Sequence, residues 1–245
     1  QRPEVYSHTE IIFNGDTFDF DSVHSTPPNV RAPRQGLPSD VPGSLYKIRR
    51  LLADHPGFVR GLAQFLSLGN RATFVMGNHD RELCFAAVQR EIVGALSAAA
   101  PVGCAAEVAA RIQFEPWFVY VPGALYVEHG QQYDATCSYR DVLYPVLPAT
   151  ESHPEELEMS FGSVIGRRVL SRIGTFNPYN DESFLMSIWG YLRHMWRYYF
   201  PKRGFFLPYI GAAFGTLFHY RRQRRRPRRP LTDQDAYASV KGVPS

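Results

Sequence analysis

The sequence predicts an α/β fold, on three observations. Two short β-rich runs, Ile11-Ile12-Phe13 and Ala72-Thr73-Phe74-Val75-Met76, each end in a polar turn led by glycine. Helical stretches fill the interval between them, the order of a β-α-β unit with a buried strand. At 245 residues, 44% apolar and 20% charged, the chain can build one sizeable core, or one core with an appendage, and it contains no internal repeat. Three widely spaced cysteines, Cys84, Cys104 and Cys137, form no metal-like pattern and no disulfide framework, which points to a reducing compartment.

The elements follow in order. After the first strand, residues 21–43 carry Pro27, Pro28, Pro33, Pro38 and Pro42 with Ser and Gly, and read as a long loop. Such a loop after a site-bearing strand is either a lid or a bare connection. Ser44 is placed as the N-cap of a helix carrying Leu45, Ile48, Leu51 and Leu52, interrupted at Pro56. A second helix over 58–68 stops at Gly69-Asn70. The second strand is followed by a helix over 81–100 with Leu83, Val88, Ile92 and Leu96 near helical spacing, ending at Pro101. Residues 117–121 and 124–127 flank Pro122-Gly123 and read as a hairpin.

Three strand ends carry the chemistry. The first presents Gly15-Asp16-Thr17-Phe18-Asp19, the second Gly77-Asn78-His79-Asp80, and the hairpin ends in His129-Gly130. Open α/β sheets place their sites at the carboxyl ends of strands, and Asp, Asn and His are the oxygen and imidazole donors that divalent metals take. A fixed tetrapeptide such as GNHD occurs by chance in on the order of one in a thousand chains of this length, so it outweighs GDxxD alone.

GDxxD, GNHD and a strand ending in His-Gly, in this order, resemble the calcineurin-like metallophosphoesterase family. The resemblance implies a four-layer sandwich of two mixed β-sheets flanked by helices. It implies two divalent metal ions (Mn, Fe, Zn or Mg) bridged by Asp16, with Asn78 and His129 as further ligands of one of them. His79 would lie over the phosphate, stabilising the transferring group or protonating the leaving oxygen, with Asp19 orienting it and Asp80 supporting the loop. A carboxylate beside an imidazole favours its cation, which suits a general acid. Two cations about 3.5–4 Å apart clamp the attacking and leaving oxygens and make a bridging water into hydroxide, so the implied reaction is attack of metal-bound hydroxide on a phosphoester or pyrophosphate.

Two family motifs are missing. No DxH precedes GDxxD, where His8 follows Tyr6 rather than Asp, and no GHxH follows His129. One metal therefore keeps Asp16, Asn78 and His129, and the other keeps Asp16 alone. The chain is read as a fragment of a working enzyme, the alternative being a degenerate, non-catalytic module with a scaffold or membrane-surface role. Arg81 is weighed as a bidentate phosphate contact against a plain surface arginine, and Gln131, Gln132, Tyr133 and Asp134 as substrate contacts at the third strand's exit.

Beyond the core, taken as 1–145, residues 146–230 are expected to form a helical insertion or cap, and 231–245 a polar tail leading to a missing part. An apolar, aromatic period runs through Phe184, Ile188, Trp189, Leu192, Met195, Trp196 and Tyr199. Residues 205–220 then contain no charged side chain and are followed by seven arginines within 221–229. Those seven leave 20 basic against 23 acidic residues elsewhere, a formal −3. The uncharged run is short of the roughly 20 residues that span a bilayer and contains Pro208, so an interfacial segment is expected. Arg221 to Arg229 suits an anionic membrane surface first, a solvated charge run second and nucleic acid third. This insertion is similar to that of UDP-diacylglucosamine pyrophosphohydrolase-like enzymes, which act on lipid-linked pyrophosphates, although that branch carries GNRD. The expected substrate is thus a phosphorylated small molecule or lipid-linked compound, and the expected location cytoplasmic, peripheral at the membrane.

Overall fold

A computed structural model describes residues 9–30, 36–151, 154–167 and 206–227, together with 189–190, 193 and 196–197. Strand β1 (Glu10–Asn14) leads through a 3-10 turn at Phe20–Ser22 to helices α1 (Val41–Asp54) and α2 (Pro56–Ser67), then to β2 (Arg71–Val75). A second 3-10 turn at Arg81–Cys84 precedes α3 (Ala86–Ala98), α4 (Ala105–Ala110) and β3 (Ile112–Glu115). The three strands form one parallel sheet in the order β1-β2-β3. Parallel pairing requires crossovers long enough for a helix, and both crossovers here carry helices.

The central strand explains the sheet. From Ala72 to Val75 every residue of β2 is buried, as expected of a strand covered on both faces. Register places Phe13 opposite Phe74 and Phe74 opposite Phe114. Their rings stack across the sheet with centroids 4.7 and 5.4 Å apart. The helices close over this ladder with Ile48, Leu62, Leu66, Val88, Ile92 and Leu96, and a fully buried side chain of this kind contributes about 1.5–3 kcal/mol.

After the parallel sheet comes the antiparallel hairpin of β4 (Phe118–Val121) and β5 (Leu125–Glu128), turned at Gly123 with φ +72°. A short antiparallel pair, β6 (Val146–Leu147) and β7 (Glu156–Leu157), and helix α5 (Phe161–Ile165) follow. Val146 and Leu157 belong to the same core as the sheet. Helix α6 (Phe206–Arg224) comes last, and the helix expected over 184–199 falls outside the described residues except at 189–190, 193 and 196–197.

The class is α/β. The described residues form one parallel three-stranded sheet and two small antiparallel ones, which is not by itself a four-layer sandwich of two mixed sheets. The first helix also begins earlier than Ser44 suggests. Asp40 is the N-cap, its carboxylate accepting from the Gly43 amide at 2.8 Å, and Pro42 sits in the first turn, where a missing N–H costs nothing. Ser44 lies one turn in, fully buried. Pro56 likewise opens α2 rather than merely ending α1.

Candidate metal centre

The site forms where the carboxyl ends of β1 and β2 meet the end of β5. The hairpin is fastened to β1 by two bonds: Asn14 Nδ2 donates to the Glu128 carbonyl at 3.0 Å, and His129 Nδ1 lies 2.7 Å from the Asn14 carbonyl. A carbonyl only accepts, so Nδ1 carries a proton and Nε2 of the neutral ring faces inward with a lone pair. Opposite it stand Asp16 Oδ2 at 3.2 Å and Asn78 Oδ1 at 3.2 Å.

Three electron-pair donors pointed at one another need a positive centre between them. A proton on Nε2 is one, and the carboxylate of Asp16 raises the His129 pKa accordingly, against the opposing effect of burial. A divalent cation is the other. With ligands at about 2.1 Å, donor pairs lie about 3.0 Å apart at right angles and about 3.4 Å apart in a tetrahedron, which brackets the observed spacing. The donor set therefore fits one cation, held by Asp16, Asn78 and His129. Among the described residues no group of three His, Cys, Asp or Glu side chains could hold a metal, so the third donor of this set is the Asn78 amide.

The glycines of both motifs clear the space. Gly15 has φ +76°, and a Cβ there would overlap the His129 ring. A Cβ on Gly77 would overlap Asp16. Asp16 itself has φ +52°, an uncommon conformation for a residue with a side chain, and of the kind that persists where the surroundings over-determine it.

Asp80 supplies that constraint. Fully buried, it accepts from the amides of Gly77 at 2.6 Å, Thr17 at 2.8 Å and Phe18 at 3.4 Å, and so fastens the two motif loops together. Burial and the nearby Asp16 charge push its carboxyl up to about 6 despite these donors. Burial also favours the neutral form of Asp16, but the His129 hydrogen bond, the His79 amide at 2.8 Å and both imidazole charges hold its carboxyl below the usual range.

His79 stands beside this cluster, with Nδ1 3.3 Å from Asp19 Oδ1. The Asp19 bond, opposed by burial and reinforced by the Asp16 charge, raises the His79 pKa to about 9. Asp19 is in turn fixed by the amides of Asp21 and Ser22 and by the Ser22 hydroxyl. The structure thus brings Asp16, Asn78 and His129 to one point and sets His79 and Asp19 next to it.

It does not bring Arg81 or Gln131 to that opening. Arg81 is neither a surface residue nor free for a phosphate: its guanidinium is fully buried, with Nη2 3.0 Å from Asp21 and Nη1 donating to the Asn78 carbonyl at 2.9 Å. Gln131 is buried too, and its amide donates to the Met76 carbonyl at 3.3 Å. Both shape the backbone behind the site, and neither reaches into it. Tyr133 and Asp134 are exposed beyond them.

Sequence reasoning passed over the residues that hold this frame. Asp21 lies between Arg81 and Arg167, whose Nε is 2.6 Å away, and its carboxyl is held far below the usual range by the two guanidinium charges, which outweigh burial. Tyr139 donates from its hydroxyl to the Asn78 carbonyl at 2.8 Å. The one available signal was an arginine directly after GNHD, which needs a carboxylate if it is internal. Arg167 comes from a distant segment and had no local signal.

No protein-family model, no curated protein and no solved structure matches the chain. The reading of this centre accordingly rests on its own donors and their geometry.

Proposed function

We propose that the chain carries the site of a metal-dependent phosphoesterase, acting on a phosphoester or pyrophosphate bond. The observation that supports this is the meeting of Asp16 Oδ2, Asn78 Oδ1 and His129 Nε2 beside the His79 imidazole, whose Nδ1 lies 3.3 Å from Asp19 Oδ1. A divalent cation there supplies Lewis acidity toward a phosphoryl oxygen and an activated water. Everything else is done by the chain itself.

Asn14 fixes the His129 tautomer so that Nε2 is the donor, as carbonyls do for metal-binding histidines generally. Asp80 holds the two loops at the separation the donors need. Asp19 keeps Nδ1 of His79 occupied and the ring charged, leaving Nε2 to donate a proton to the departing oxygen. Substrates of the expected class are phosphorylated small molecules or lipid-linked phosphates, with nucleic acid a weaker choice. The finer architecture belongs to the same proposal: the three-stranded sheet is part of a four-layer sandwich, and the second metal of that sandwich takes Asp16 plus ligands outside the motifs seen here.

A second reading is favoured by one observation, the lack of DxH and GHxH in the sequence. On that reading the chain is a phosphoesterase-like module that binds one cation and hydrolyses nothing. Elemental analysis of the purified chain, with hydrolysis of an aryl phosphodiester in excess Mn, separates the two. The enzyme reading expects bound metal and a hydrolysis that disappears in His79→Ala. Metal bound without hydrolysis supports the module, and no metal at all overturns both.

A further inference from the structure

Helix α6 is mounted the wrong way round for a helix of a soluble core. Amphipathic helices turn their apolar face inward. Among the side chains described from 214 to 224, the inward ones are polar or amphipathic: Thr216 and Gln223 are buried, Gln223 Nε2 donates to the Met159 carbonyl at 2.9 Å, and the Tyr220 ring meets Phe161 edge-on at 5.4 Å. On the opposite side Phe214 and Phe218 are each 70% exposed, with Leu217 at 46%. One further turn along the same side come the exposed Arg221 and Arg225.

This mounting is fixed by several bonds. Arg140 donates to the carbonyls of Arg224 at 3.0 Å and Gln223 at 3.4 Å, satisfying the free acceptors of the helix end. Arg226, counted with the basic run in the sequence, is turned inward instead, pairing with Glu156 and donating to the Pro148 and Pro154 carbonyls. The exposed aromatics are therefore presented by a helix that is held in place, and exposed apolar patches of this kind mark interaction surfaces.

We propose that the outer face of α6 docks on an anionic lipid bilayer surface, with Phe214 and Phe218 entering the acyl boundary and Arg221 and Arg225 lying among the headgroup phosphates. Charge complementarity selects the occupant, since the helix end exposes Arg221, Arg222, Arg224 and Arg225 and the stretch 205–229 contains no Asp or Glu. Geometry agrees. Phe214, Phe218, Arg221 and Arg225 stand on one side of the helix within about 17 Å along its axis, so an apolar stretch and a basic one meet the same surface. Among the described residues no helix is long and apolar enough to cross the membrane, so the contact is with one leaflet. This inference stands on α6 alone and does not depend on the metal centre.

Co-sedimentation of the full chain with vesicles tests it, using phosphatidylcholine alone or with about one part in three of phosphatidylglycerol. The expected result is binding to the anionic vesicles only, weakened by high salt as screening shortens electrostatic range. Phe214→Ser with Phe218→Ser should weaken binding about tenfold or more, and Arg221→Gln with Arg225→Gln about thirtyfold. Circular dichroism should be unchanged in both, because the altered side chains are exposed. Equal binding to neutral vesicles overturns the proposal, as does full binding by either double variant. So does a chain that self-associates without lipid and loses that association with the Phe pair, which would make a second copy the occupant. Metal content, measured on the same samples, reports separately on the phosphoesterase reading.

Discussion

Two polar clusters lie side by side in this protein, and the loops after β1 and β2 contribute to both. Asp16, Asn78 and His129 meet at an opening with no cationic side chain between them. Asp21 and Glu82 are buried among Lys47, Arg81 and Arg167. The bridge between the clusters is His79, whose Nδ1 is 3.3 Å from Asp19 and 4.0 Å from Asp21. What separates the proposed metal site from an internal strut is therefore not the carboxylate. It is whether a guanidinium already neutralises it, and whether neutral lone pairs or fixed positive charges complete its surroundings.

The sharpest break of the comparison is a paired substitution, one carboxylate from each cluster. Asp16→Ala should leave the fold intact and lower metal affinity by more than about a hundredfold, since it deletes a proposed ligand rather than a supporting group. Asp21→Ala should do the reverse. It removes the nearer carboxylate of two buried guanidinium groups and leaves them Glu82 alone, at a cost of about 3 kcal/mol, while the proposed metal donors of the folded fraction stay in place. Isothermal titration with Mn and urea unfolding of both variants read the two effects. If Asp21→Ala lost metal with its stability unchanged, the division between the clusters would be wrong.

Next in size is His79, which belongs to neither cluster fully. His79→Ala should lower hydrolysis by about 10²–10⁴-fold with metal content unchanged. Its pH dependence has a definite sign. Asp19 chiefly raises the folded pKa, so activity should fall as pH rises through it, and a cation held at Asp16 brings that value below the about 9 of the metal-free site. Asp19→Asn removes the leading cause and should move the alkaline fall toward the ordinary histidine range near 6.5. An unmoved alkaline limb would take the acid role away from His79.

A smaller effect tests how closely the open cluster is packed. Gly15→Ala puts a Cβ against the His129 ring at a positive φ, and should cost about 1–3 kcal/mol while displacing the imidazole from Asp16 and Asn78. Weaker Mn binding together with a lower unfolding midpoint is the expected pair of results. Gly57, in α2 with open space around it, gives the control: Gly57→Ala should leave both unchanged or slightly improved.

The two clusters also differ in how far the sequence disclosed them. The open one was legible because short motifs at strand ends are local, and both glycines in them proved to be space for a neighbour's side chain. The buried one was not, because its members come from α1, two loops and the segment after α5, and nothing local marks Lys47 or Arg167 as internal. Arg81 was misread for the same reason, since its partner Asp21 lies 60 residues away. The strands and α2 follow their periodicity to within a few residues, whereas α3 begins at Ala86 and not at Arg81, because Arg81–Cys84 form a 3-10 turn, and α1 starts ahead of Ser44 because Pro42 serves as first turn rather than loop. Strand β3 is only four residues long, with Pro116 directly after it as its one boundary signal, and the sequence reading does not include it or, with it, the third member of the sheet.

The smallest effect concerns the charge balance of the buried cluster, where three cations face two carboxylates and Lys47 is the surplus. Lys47 is 1% exposed, and burial, aided by the Arg167 charge, lowers its pKa to about 7 from an unfolded value near 10.4. Below pH 7 the lysine is charged in both states, so the folded protein bears the full cost of burying it. Between about 7 and 10.4 the unfolded chain binds the proton and the folded one does not, so stability rises with pH across that window. Lys47→Met removes the proton and keeps the volume. It should raise stability by about 1 kcal/mol at pH 6, within the gain seen when buried charges give way to apolar groups, and the advantage should narrow toward pH 10. A loss of stability at pH 6 would show instead that Asp21 and Glu82 need all three cations. The internal strut would then be a balanced network, and not two arginine pairs with a lysine left over.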